Sequence, residues 1–118
     1  MIIKNISEVR SFIAGDKTII KEILHPLNDA VDIPYSLAHA TVEVGQQSLP
    51  HQLKSSELYY ILEGTGEVHI NDEVSVISEN ELVLIPAMTT QWIKNIGQKP
   101  LKFLCIVHPF WKKEDEIV

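Results

Sequence analysis

After Phe12 the chain is a succession of short apolar segments, cut by turn signals at even spacing. TIIKEIL, YSLAHATVEV, SLPHQL, ELYYILE, EVHI, VSVI, ELVLI, QWIKN and LKFLCIV are separated by AGD at 14–16, PLND at 26–29, GTG at 64–66, NDE at 71–73, SEN at 78–80, PAM at 86–88 and NIGQKP at 95–100. Several segments are rich in Val, Ile and Tyr, which suit a pleated, half-buried surface. Strands this short and this regularly punctuated form a sandwich or barrel. Eight or more of them, joined by hairpins, protect their edges by closing. The expectation is an all-β, single-domain barrel with a mouth, and mouths are where small ligands bind.

The barrel is expected over about residues 17–108 of a single domain, 1–118. Residues 1–16 form a lead, with ISEVRSF as one short helical turn, and 109–118 form a tail. The tail's Phe110 and Trp111 are expected to seal one end of the barrel or a subunit interface, as aromatics commonly do. With 118 residues the chain has room for one core and not for two.

Charge narrows the partners. The formal net charge is −6, and the 10 Lys and Arg are scattered without a basic run. That argues against a nucleic-acid partner and against docking on an anionic membrane. The longest apolar run, LVLIPAM, is far below the roughly 20 residues a spanning helix needs. The opening MIIKNISEVRSF lacks the apolar core of a secretory signal. A single cysteine, Cys105, excludes an internal disulfide and fits a reducing compartment, so a cytoplasmic location is expected.

Strand alternation decides which side chains converge. In ELYYILE, Glu57, Tyr59 and Ile61 share one face; in HQL, His51 and Leu53 do; in QWIKN, Gln91, Ile93 and Asn95 do. If His51, Glu57 and Gln91 all point inward, an imidazole nitrogen, a carboxylate oxygen and an amide oxygen meet at one place. That set suits Fe, Mn, Ni, Co or Zn as a divalent ion.

These residues resemble the first motif of the cupin family: a Gly, five residues, His, one residue, His, three or four residues, Glu, six residues, Gly. Gly45, His51, Glu57 and Gly64 fall on it without adjustment, and Leu53 stands where the second His belongs. The second motif is matched at Pro86 and Asn95, with Glu79 or Asn80 near its opening Gly, Met88 at its second Gly and Gln91 at its His. The resemblance implies a jelly-roll (double-stranded β-helix) barrel with one metal in its bore, usually dimeric. It extends to short single-domain cupins described as mannose-6-phosphate isomerase-like, a label about fold that carries no activity. A typical cupin holds its metal with three imidazoles and a carboxylate. Here two of those imidazoles are absent.

The metal candidates are therefore His51, Glu57 and Gln91, and the catalytic candidates Glu57 and Tyr59. A carboxylate on an apolar inward face is costly unless a cation or hydrogen-bond donors meet it. The alternative to metal is a trio that satisfies itself, Glu57 bonded to Gln91, Tyr59 or His51. His39, His108 and Cys105 are further candidates for the pocket. His25 and His69, next to turns, are expected to be solvated, and Trp92 to face away from Gln91. Two functions remain open from sequence: a divalent-metal cupin acting on a small oxygen-rich molecule, as an oxidoreductase or isomerase if it is catalytic, or a metal-free barrel that binds a small metabolite. A homodimer through N-terminal strands such as TIIKEIL is expected.

Overall fold

The computed structural model describes every residue, Met1–Val118. A short 3-10 turn at Ile6–Glu8 precedes the strands, capped by the Asn5 side chain, which accepts from the Ser7 amide. The strands are β1 (Phe12–Ile13), β2 (Ile19–Leu24), β3 (Ser36–Val42), β4 (Gln52–Leu53), β5 (Ser56–Glu63), β6 (Thr65–Ile70), β7 (Glu73–Ser78), β8 (Leu82–Ile85), β9 (Gln91–Asn95), β10 (Leu101–His108) and β11 (Glu116–Ile117). They pair antiparallel in sheets ordered β1-β2-β3-β10-β5-β8, β7-β6-β9 and β11-β4. This is the all-β barrel expected from the segment pattern, with the jelly-roll form that the cupin resemblance implies.

Period-two alternation builds the core. On β10, Leu101, Phe103, Cys105 and Val107 are buried, and they meet the buried Tyr59 and Ile61 of β5 and Ala40 and Val42 of β3. Ile77, Ile85, Val68 and Ile93 close the same cluster from β7, β8, β6 and β9.

Three segments differ in form from their expectation, two of them turns and one a strand. PLND at 26–29 is a single helical turn, with Pro26 at its start and the His25 side chain as its N-cap. SLPHQL has only two strand residues, because its backbone is shared between a bridge from His51 to Gln91 and the short ladder of β4. GTG at 64–66 reduces to one linking residue, Gly64, at φ +90°, between β5 and β6. A Cβ there would lie 2.9 Å from the Pro100 carbonyl oxygen, so only glycine fits.

The second motif keeps its backbone shape without its glycines. Asn80 and Met88 adopt φ of +69° and +63°, the left-handed conformation glycine supplies most easily. Asn95 is buried and structural. Its amide donates to the Val42 and Lys99 carbonyls, both at 2.9 Å, and its Oδ1 accepts from the Gly97 amide, holding the turn before β10.

Beyond His108 the chain turns back onto the barrel. Trp111 N donates to Ser36 Oγ, Lys54 N to the Asp115 carbonyl, and β11 pairs with β4 in the register Glu116–Leu53. The C-terminal residues thus flank the segment that carries His51.

Candidate metal and ligand site

One cavity opens into the barrel bore, with an empty volume of about 780 Å³ including its mouth. Its floor is made by the inward faces of β3, β5 and β10, so Ala40, Glu57, Tyr59, Phe103 and Cys105 line it. His51 and Leu53 enter from β4 and the residues before it, and both are buried. The strand-parity expectation for Glu57, Tyr59, His51 and Gln91 holds, since all four are buried and point inward.

Within the bore these residues form two groups. Gln91 Nε2 donates to Glu57 Oε1 at 2.8 Å, and Tyr59 Oη donates to Gln91 Oε1 at 2.9 Å. Gln91 therefore bridges an acceptor and a donor, and its oxygen is already engaged by Tyr59. Burial pushes the Glu57 carboxyl up to about 7. The Gln91 hydrogen bond and His51 hold it down, while the nearby Asp16 and Glu116 carboxylates push it further up. Burial and the Glu57 carboxylate also raise the Tyr59 hydroxyl well above its ordinary value, so it remains a donor.

His51 belongs to the other group. Its Nδ1 lies 2.7 Å from the Leu49 carbonyl oxygen, which can only accept, so Nδ1 carries the proton in the neutral ring. The lone pair of Nε2 is then left facing the cavity, 3.6 Å from Asp16 Oδ2. Ligand atoms of Asp16, His51 and Glu116 all lie within 4.8 Å of one another. A backbone carbonyl fixing one imidazole nitrogen while the other faces carboxylates is the arrangement that orients histidines toward metals.

Asp16 and Glu116 are held in place by their own partners. Asp16 Oδ1 accepts from the Thr18 amide at 3.1 Å and the Thr18 hydroxyl at 2.6 Å, leaving Oδ2 toward His51. The Asp16 carbonyl accepts from Leu49 N at 2.7 Å, which ties the turn to the His51 segment. Glu116 is carried to the site by the β11–β4 pairing, and its Oε2 accepts from the Trp111 indole nitrogen at 2.9 Å. One imidazole nitrogen and two carboxylates form a borderline-hard N/O set that fits a divalent first-row ion.

The remaining candidates sort by position. Cys105 lies on the cavity wall, and burial pushes its thiol well above the ordinary range. His39 sits half-buried on the outer face of β3 and His108 is exposed, so neither lines the cavity. His25 is not solvated: it is 5% exposed and lines the cavity. Its Nε2 donates to the Trp111 carbonyl at 2.7 Å, and its ring meets Phe110 edge-on. Its place as a helix cap buries it, because the returning C-terminal residues cover it. His69 is also not free in solvent: it stacks on Trp92 at 3.5 Å between ring centroids and pairs with Glu67 at 2.7 Å. Trp92 does face away from Gln91, onto the outer surface of β9.

Comparison with known proteins shows what the chain is similar to. A family model described as Cupin domain matches residues 38–107. The chain is 39% identical over 109 residues to an uncharacterized protein of Methanocaldococcus jannaschii, covering 92% of this chain and 86% of that one. It is 34% identical over 94 residues to a putative mannose-1-phosphate guanylyltransferase of Vibrio cholerae, covering 77% of this chain but only 20% of that protein. Among solved structures it resembles a predicted oxalate decarboxylase of Thermotoga maritima, with a TM-score of 0.81 and 20% identity, covering 92% of this chain and 99% of that one.

Proposed function

The chain belongs to the cupin family, and we propose that it is a small-molecule cupin whose divalent cation is held by Asp16, His51 and Glu116. The observation that carries this reading is the His51 imidazole, with Nδ1 committed to the Leu49 carbonyl and Nε2 facing two carboxylates. Two buried or half-buried carboxylates brought together repel one another unless a cation or protons intervene. A bound ion would supply Lewis-acid chemistry at a ligand oxygen.

Glu57 and Tyr59 then serve as the polar wall of the ligand cavity, with Gln91 bonded to both behind them, rather than as the ion's main ligands. Glu57, raised to about 7, is suited to giving or taking a proton near neutral pH. Tyr59 holds Gln91 in register by its hydroxyl. The ligand is a small oxygen-rich molecule. The name of the Vibrio cholerae relative refers to mannose 1-phosphate, but this chain spans a fifth of that protein, and the cavity offers no cationic side chain for a phosphate.

A metal-free binding barrel is the second reading, favoured by the Tyr59–Gln91–Glu57 chain, which satisfies its own polar atoms. Metal content separates the two. Protein purified without added metal or chelator is analysed for elements beside His51→Ala. Near-stoichiometric metal that disappears in the variant supports the first reading. No metal, even after soaking with Mn, Fe, Ni, Co and Zn, leaves the second.

A homodimer is part of the proposal. Its support is an apolar outer face across β10, β5 and β8, where Ile106, Leu58 and Leu84 form one row and Leu104, Tyr60 and Leu82 the next. Leu82 and Leu84 are 58% and 61% exposed, and a contiguous apolar patch of this kind marks an interaction surface.

A further inference from the structure

The cavity is short of hydrogen-bond donors. Apart from the Ser36 hydroxyl, whose oxygen accepts from Trp111 N, the side-chain N–H and O–H groups paired in its lining are directed at protein acceptors. The Tyr59 hydroxyl donates to Gln91, the Thr18 hydroxyl to Asp16 and the Trp111 indole to Glu116. The two histidines offer nothing further in their neutral forms. His51 Nδ1 is taken by the Leu49 carbonyl, and His25 Nε2 by the Trp111 carbonyl, while His25 Nδ1 accepts from Leu27 N.

Acceptors are abundant by contrast. Asp16, Glu22 and Glu116 line the cavity beside Glu57, and no lysine or arginine does. An anion entering would meet carboxylates in a low-dielectric concavity that focuses their potential. A divalent ion on Asp16 and Glu116 would be neutralised by those two charges, leaving little net attraction for a second anion. A hydroxyl or ammonium group finds the reverse, a set of acceptors waiting for donors. Phe12 and Trp111 at the lining add aromatic surface that tolerates neutral or cationic groups.

We propose that this cavity selects a small hydroxyl- or amine-bearing ligand and rejects molecules carrying phosphate or carboxylate. The inference rests on the cavity being the ligand site proposed above, and it names the class of ligand that site takes.

Cys105, the only cysteine and a residue of the cavity wall, gives a direct assay. Methanethiosulfonates bearing a trimethylammonium, an uncharged methyl or a sulfonate group are reacted with the full-length protein. Rates are normalised to a free small thiol and measured on metal-loaded and chelator-treated samples. The expected result is that the cationic reagent modifies Cys105 at least about tenfold faster than the anionic one. Glu22→Gln, outside the metal group, should narrow that ratio. An anionic reagent as fast as the cationic one would overturn the proposal. So would a ratio unmoved by Glu22→Gln, or failure of the uncharged reagent to react. Elemental analysis of the same samples keeps the outcomes apart: charge selectivity without metal binding removes the metal reading and leaves this one standing.

Discussion

His51 Nε2 and Asp16 Oδ2 face one another at 3.6 Å across the cavity, although Asp16 belongs to a turn ahead of β2 and His51 to the segment before β4. The pair is buried, and a proton or a cation is what makes it favourable.

Gln91 is the partner whose loss leaves most unsatisfied. Gln91→Leu should destabilise the protein by about 2–4 kcal/mol, because Glu57 and the Tyr59 hydroxyl both lose their bond in a buried place. Adding Glu57→Leu to that variant should recover much of the loss. Urea unfolding of the single and double variants measures this, and an additive double variant would contradict it.

The metal-free protein should lose stability as pH rises from about 4.5 to about 7. The Glu57 pKa is raised from its ordinary 4.5 to about 7 on folding, chiefly by burial. In that window the folded state binds the proton and the unfolded state does not, so unfolding becomes easier as pH increases. The decline attributable to Glu57 is about 3 kcal/mol at most, and it levels off above the folded pKa. Unfolding of chelator-treated protein across pH 4.5–8 should show this slope, and Glu57→Gln should flatten it.

The fold was legible because its signal is local and repeated. Alternation in ELYYILE, QWIKN and LKFLCIV puts Glu57, Tyr59, Gln91 and Cys105 inward, as found. Asp16 and Glu116 were not legible. Asp16 sits in a turn and Glu116 in a two-residue strand, so neither has a periodic pattern to place it. They reach His51 only through long-range backbone bonds, Leu49 to Asp16 and β11 to β4. The spacing of Asp16 and Thr18, whose side chains bond each other, was the one local hint that this carboxylate is held inward. His25 read as a solvated turn residue for the same reason, since its cover comes from Phe110 and Trp111 at the far end of the chain.

Met88 carries a cost that glycine would remove. It holds φ +63° with an exposed side chain, so Met88→Gly gives up little packing. Relief of the left-handed strain, less the added freedom of the unfolded chain, should stabilise by about 1 kcal/mol. That is roughly 4 °C in Tm for a domain of this size. Met88→Ala should give no such gain, and thermal unfolding of both compares them.

The outer rows of β10, β5 and β8 should disperse under charge. Leu84→Lys should convert a dimer to monomer at micromolar concentration in sedimentation velocity, with the fold unchanged by circular dichroism. A wild-type monomer, or a dimer indifferent to the substitution, would remove this face as the interface.

The central claim is that the cation is held by Asp16, His51 and Glu116 rather than by the motif positions Glu57 and Gln91. The most direct measurement is Mn(II) affinity by titration calorimetry for the wild type, Asp16→Asn, Glu116→Gln, Glu57→Gln and Gln91→Leu. The account expects one ion per wild-type chain and a loss of at least about tenfold, or 1.4 kcal/mol, in Asp16→Asn and Glu116→Gln. It expects a smaller change in the other two. Loss of binding in Glu57→Gln and Gln91→Leu, with Asp16→Asn and Glu116→Gln unaffected, would contradict it.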